Sequence, residues 1–217
     1  MNDKTKKWIV RLAIYVVGMT VLALGLTLNT LTGLGASCMI SPAYTSSNVW
    51  NLNLGNITLI WYCVFIAIQM IVRGKNRRWR DLLQFFLTFI MTRQMNFFKS
   101  IIHWKSGNLP ADLCLLAVAI TVTAIGAVMS VDAQLIPNPG DGICLAFSDV
   151  FGKDIGFWKN VIDITCVCIS LIIGLIGGNA FIGVGIGTVC ASIFTGRAIH
   201  LINDHFKEKI QKASGII

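Results

Sequence analysis

Arg93 is the first residue in this chain whose type and place point to chemistry. It stands inside an apolar stretch, roughly 18 Å along a helix from Asp81 at 1.5 Å per residue, with Gln94 and Asn96 beside it. A charge so far from a membrane surface is costly and ordinarily faces a partner or a water-filled cavity. The chemistry it offers is attraction of an anionic solute; the structural alternative is an ion pair. Arg197 sits late in another apolar stretch, where snorkelling to the headgroups beside His200 competes with solute binding. Asp163 lies two turns into a third stretch with Lys159 four residues before it. It could bind a cation, relay a proton, or pair with Lys159 or Arg93. Asn138 and Asp141 belong to PNPGDG, whose two prolines and two glycines forbid a continuous helix. Asp141 directly precedes a short apolar run and is expected as its N-cap, with solute contact as the alternative. The break would supply backbone donors, as half-helix sites do, unless the segment is an ordinary loop with a surface helix.

Signatures of enzyme chemistry are missing from the sequence. There is no HExxH, no GxSxG and no GxxxxGK[ST], and His103 and His200 lack metal-ligand spacing. The seven cysteines contain no CxxC, and an odd number set in apolar runs reads as small core residues. No catalytic residue, cofactor or metal is expected. Gly174, Gly177, Gly178, Gly183, Gly185, Gly187 and Ala191 follow no predicted strand, so they read as close helix packing and not as a phosphate cradle.

These residues must be held by membrane-spanning helices. Of 217 residues 55% are hydrophobic and 13% charged, and the mean hydropathy is +0.71; a soluble domain carries about twice that charged share. The net charge of +8 would suit a nucleic-acid binder, but the basic residues cluster at the ends of apolar runs, which is a topology signal. Apolar runs of spanning length cover 8–29, 57–72, 82–102, 111–131, 157–176 and 181–202. Two shorter runs, 38–50 and 143–151, cannot cross as ordinary helices. Lys4, Lys6, Lys7 and Arg11 at one end and Arg73, Lys75, Arg77, Arg78 and Arg80 in a short loop should share the cytoplasmic side, which makes the 38–50 run re-entrant or surface-lying. Lys207, Lys209 and Lys212 then return the C-terminus to the cytoplasm.

The order of elements repeats. A helix with Gly18, then TGLGASCMIS, Gly55, a span, and a helix carrying Thr92 and Arg93 is followed by a helix with Gly126, then PNPGDGICLAFS, Gly156, a span, and a helix carrying Gly196 and Arg197. The separations are roughly 101 to 108 residues. The expected architecture is all-α and polytopic, with six spans in two inverted three-helix repeats, 1–105 and 106–217, each holding one short non-spanning segment.

The NPGDG, FGKDIGFWKN and GVGIGTVCASIFTGRAI stretches, the GIGT of Gly185 to Thr188 above all, resemble the YczE/YyaS/YitT group of bacterial integral membrane proteins. The resemblance covers most of the chain. It implies a multi-pass protein of the bacterial plasma membrane and supplies no catalytic residues; where that group has Pro-Trp after the Leu-Gly, this chain has Ala36 and Ser37. Inverted repeats, in turn, predict a transporter or permease for a small polar, plausibly anionic, solute, with Arg93, Asp163, Asp141, Asn138 and Arg197 as solute-binding candidates. Two other readings stand beside it: the substrate-binding membrane subunit of a vitamin importer, and a non-transporting scaffold or regulator. The expected partners are the lipid bilayer, a small solute, and another copy or another membrane protein, with no nucleic acid.

Overall fold

A computed structural model describes residues 3–105 and 107–213. The side chains of Lys4, Arg80, Lys207, Lys209 and Lys212, part of the charge pattern above, lie outside the described residues. Among the described residues eight α-helices follow one another: α1 (Asp3–Leu31), α2 (Ser41–Val49), α3 (Leu54–Arg73), α4 (Trp79–Ile101), α5 (Leu109–Asp132), α6 (Pro139–Phe151), α7 (Ile155–Ile176) and α8 (Ile186–Ala213). Cys38–Ile40 and Gly74–Asn76 are 3-10 turns, and there is no strand among the described residues.

Among the described residues four stretches are long and apolar enough to cross a bilayer: Thr5–Leu31, Leu54–Asn76, Leu109–Asp132 and Ile155–Ile176. Six were expected. The other two helices have the length but not the composition, because Asp81, Arg93 and Lys99 interrupt α4 and Arg197, His200 and Asp204 interrupt α8. The expected run 181–202 also begins too early, since the chain around Gly183 and Gly185 is irregular and the helix starts at Ile186.

The interior mixes polar side chains into an apolar core, and the outside carries many exposed apolar residues. Thr27, Thr32, Ser41, Thr45, Thr58, Gln69, Gln84, Thr88, Thr92 and Ser170 are all fully buried. Phe86, Ile90, Ile164, Leu175 and Ile176 are more than half exposed, a belt suited to hydrocarbon.

α1 and α5 cross at the centre through glycine. A methyl group on Gly18 would come within 2.8 Å of Met129 Cβ, and one on Gly25 within 2.5 Å of the Thr123 nitrogen, so the backbones approach as only small residues allow. Around this pair the packing of one half matches that of the other. α4 lies on α1 and α8 on α5; α2 packs on α7 and α6 on α3; α2 also meets α3, and α6 meets α7. The match extends to side chains. Ser47 donates to the Leu52 carbonyl at 2.6 Å and Ser148 to the Lys153 carbonyl at 2.7 Å. Asn53 caps α3 by accepting from the Asn56 nitrogen, and Asp154 caps α7 by accepting from the Gly156 nitrogen. Ser41 on α2 meets Ser170 on α7 at 2.8 Å, while Gly142 on α6 faces Gln69 on α3. One pair breaks the match: α3 packs along α4, whereas α7 and α8 hardly touch.

The shorter helices, 9 and 13 residues long, would reach only about 14 and 20 Å, short of a hydrocarbon core of about 30 Å. Neither is a surface helix. Pro139, Gly140, Gly142, Ile143 and Cys144 of α6 and Ser41, Pro42, Ala43 and Thr45 of α2 are buried.

Candidate functional site

The site is built by what holds the first turns of α2 and α6. Before α6, the chain is tied to α1 by three hydrogen bonds: Arg11 donates from Nε to the Ala133 carbonyl at 2.7 Å and from Nη2 to the Gln134 carbonyl at 2.8 Å, and the Tyr15 hydroxyl donates to the Ile136 carbonyl at 2.8 Å. Pro139 then starts the helix, its fixed φ suiting a first-turn position. Before α2, the Ser37 nitrogen donates to Asn29 Oδ1 at 2.9 Å. The 3-10 turn Cys38–Ile40 that leads into α2 meets the first turn of α6 at Met39 and Gly140. A methyl on Gly140 would stand 2.5 Å from Met39 Sδ, so glycine lets the ends come together.

Beside this meeting point lies an open-sided cavity of about 590 Å³, bounded by α1, α5, Tyr62 of α3, the 3-10 turn Cys38–Ile40 that leads into α2, the first turn of α6, the start of α7 and the middle of α8. Asn138, Asp141, Lys159, Asp163, Ser192 and Thr195 are among its lining residues. Among the described residues no two of Asp141, Lys159 and Asp163 are within ion-pair distance, although the Lys159 charge interacts with both carboxylates. Asn138 Oδ1 is buried with no hydrogen-bond partner. Each helix start adds about half a positive charge and free backbone N–H groups. The cavity therefore presents carboxylates, one ammonium and backbone donors together, a set able to hold a small solute that has both donors and acceptors.

Of the residues expected from the sequence, Asn138, Asp141 and Asp163 are brought together here. Arg93 and Arg197 are not. Arg93 is exposed, donates from Nη2 to Asn56 Oδ1 at 2.5 Å, and lies 5.2 Å from the Phe89 ring centre. Arg197 lies 5.9 Å from the Phe194 ring centre, in a shallow groove with His200 and Asp204. Asp141 is not the N-cap either: Asn138 holds that position, and Pro139 moves Asp141 into the first turn, on the cavity. Asp163 makes no direct pair with Lys159 or Arg93.

Sequence reasoning missed two groups. Lys159 was noted only as a neighbour of Asp163, yet a charged i, i+4 pair within an apolar run marks a single wet helix face. The second is an ion cluster. Buried Arg73, at the end of α3, places Nη1 at 2.6 and 2.7 Å from the two oxygens of buried Asp81 and Nη2 at 3.0 Å from Asp149 of α6, which also meets Arg78 at 3.3 Å. Its signal was Asp81 itself, a lone acid in the basic run RGKNRRWRD.

The glycines near the end of the chain do pack closely. The Ala36 nitrogen donates to the Gly183 carbonyl at 3.1 Å and the Gly187 nitrogen to the Leu34 carbonyl at 2.8 Å. Gly35 has φ +101°, and a methyl there would meet the Gly185 nitrogen at 2.6 Å. All seven cysteines are free thiols.

Apolar outer faces, four helices long and apolar enough to cross a bilayer and two short buried helices define a polytopic helical protein of membrane type. Residues 9–204 match the family of unknown function DUF6198, and the chain belongs to that family. No curated protein and no solved structure matches it.

Proposed function

We propose that the chain is a six-span transporter built of two inverted repeats, 1–105 and 106–217, that carries a small polar solute through the cavity between α7 and α8. The observation that carries this reading is the meeting of the 3-10 turn that leads into α2 with the first turn of α6 beside a cavity lined by Asp141, Lys159 and Asp163. Half-helices that end inside a bundle leave backbone groups free, and such ends bind solutes and ions in transporters. The matched packing of the two halves supports the repeat. α4 and α8, at 23 and 28 residues, are long enough to cross, roughly 34 and 42 Å. The basic clusters at the start of α1 and between α3 and α4 favour cytoplasmic termini in a bacterial plasma membrane, as the likeness to the YczE/YyaS/YitT group implies.

The solute's charge follows from which residues reach the cavity. With Arg93 and Arg197 elsewhere, three carboxylates, Asp141, Asp163 and the Asp154 that accepts from the Gly156 nitrogen, line the cavity beside one ammonium, and the best fit is a solute bearing an amine, zwitterions included, and not a simple anion.

Thermal stability of the purified chain with a panel of small amines, amino acids and carboxylic acids tests the site. An amine-bearing compound is expected to raise the melting temperature, since binding only to the folded state stabilises by RT ln(1 + [L]/Kd). Asp163→Asn is expected to abolish that rise. Stabilisation by anions alone, lost in Arg93→Gln, would restore the anionic reading. Topology is tested by single cysteines in a cysteine-free background: Leu52→Cys and Asn108→Cys should label in intact cells, Asn76→Cys and Lys153→Cys only after permeabilisation. Labelling of Asn76→Cys from outside would remove the inverted repeat.

A further inference from the structure

The cavity occupies one of two comparable seams. α7 and α8 part to enclose it, and Lys159 and Asp163 on α7 and Ser192, Thr195 and Ile199 on α8 line it. In the proposed repeat the equivalent positions are Thr58 and Tyr62 on α3 and Thr88, Met91 and Met95 on α4. Every one of these five is at most 2% exposed. The inward stripe of α4, Gln84, Thr88, Met91 and Met95, follows helical spacing and packs shut against its neighbours.

That closed seam holds polar groups a permanently dry seam has no use for. Thr88 Oγ1 is fully buried and has no hydrogen-bond partner. One turn earlier, Gln84 leaves both amide atoms unpartnered, as does Gln69 across the seam on α3. A buried polar group without a partner costs about 1–3 kcal/mol, and three such side chains within one seam call for water or solute in some state of the protein. Met91 and Met95 fill the rest of the stripe with flexible, unbranched side chains, which leave a packed site without remaking a rigid core. Tyr62 belongs to both spaces: it lines the present cavity and packs in the closed seam.

We propose that the α3–α4 seam is the second vestibule of the solute path, lined by Thr58, Tyr62, Gln84, Thr88, Met91 and Met95. It opens when α3 and α4 part and closes when α7 and α8 part. The lining is neutral, hydroxyl and amide with thioether, so it takes the same small polar solute through hydrogen bonds and without a counter-charge. The Arg73–Asp81–Asp149 cluster holds the joined end of the α3–α4 hairpin and serves as its pivot. This assignment rests on the transport reading above.

The test uses the full chain, cysteine-free, in oriented membrane vesicles, with a membrane-impermeant quaternary-ammonium methanethiosulfonate as the probe. Ser192→Cys reports the open cavity; Thr88→Cys reports the closed seam, and Met91→Cys, next in the same stripe, is a second reporter should the first fail to fold. Ser192→Cys should react from one face only and Thr88→Cys, more slowly, from the opposite face. Thr195→Met gives α8 the residue α4 has at the equivalent place and fills the cavity. It should lower the Ser192→Cys rate and raise the Thr88→Cys rate, each at least tenfold. If Ser192→Cys responds so while both seam reporters stay unreactive from either face, the seam is not a vestibule and this inference is overturned, with the cavity reading intact. If Ser192→Cys reacts from neither face, the cavity is not part of a path, and the transport reading falls together with the vestibule.

Discussion

The hairpin α3–α4 is joined at its turn by charge, and the hairpin α7–α8 by glycine. At the first, Arg73 bridges Asp81 and Asp149 in a site almost closed to solvent. At the second, Gly183 lies against the Thr45 side chain, Gly177 against the Val49 side chain and Gly185 against the Leu34 carbonyl, contacts that only a residue without a side chain allows. Both anchor a hairpin to the half-helix of its neighbourhood, α6 in one case and α2 in the other. The charged anchor accompanies a hairpin that is shut along its length and the glycine anchor one that has parted. The difference shows that a common packing scheme need not be held by common chemistry: directional, long-range attraction serves one corner and short-range contact the other.

The comparison can be broken most forcefully at its charged corner. Arg73→Met leaves buried Asp81 without its charge partner and should destabilise the protein by about 3–5 kcal/mol, read as a lowered melting temperature in detergent. A variant that also carries Asp81→Leu should recover much of that loss, because a buried pair is replaceable by apolar side chains where a half-pair is not. The glycine corner is tested by Gly183→Val, whose side chain would run into the Thr45 hydroxyl. Overpacking of this kind costs about 1–3 kcal/mol; a neutral result would mean that residues 183–187 yield freely and do not anchor α8. Gln84→Leu removes two unpartnered amide atoms from the shut seam. It should raise stability by about 1 kcal/mol while slowing any step that needs the seam open, and a loss of stability would show that the amide has a partner in the native protein. Arg93→Gln should do least, within about 0.5 kcal/mol and with solute binding unchanged, since its contacts are Asn56 and Phe89 on an exposed face.

How much of this was legible in the sequence depended on range. Apolar runs of spanning length located α1, α3, α5 and α7, because hydrocarbon imposes one requirement on every exposed position of a spanning helix. The prolines and glycines of PNPGDG marked the break before α6, since local backbone geometry forbids any other outcome. α4 and α8 were harder. Polar residues stand on both faces of them, Gln84 and Thr88 buried on α4 but Arg93 and Arg197 exposed, and mean composition cannot separate a wet face from a lipid face. The site itself divided the same way. Asp141, Asn138 and Asp163 were found because a polar residue in an apolar run is conspicuous. Arg93 was conspicuous for the same reason and still lies outside the cavity, since depth along a helix says nothing about the direction a side chain points. The Arg73–Asp149 contact joins residues 76 apart in sequence and left no local mark.

The exchange of contacts between halves, α2 on α7 and α6 on α3, also governs how the chain can be made. Residues 34–36 find their partners only when residues 183–187 have been synthesised, so the first half must wait, inserted but incomplete, through most of translation. Cutting the chain in the loop near Asn108 and expressing both pieces together should still yield the assembled protein, whereas either piece alone has nothing to close against.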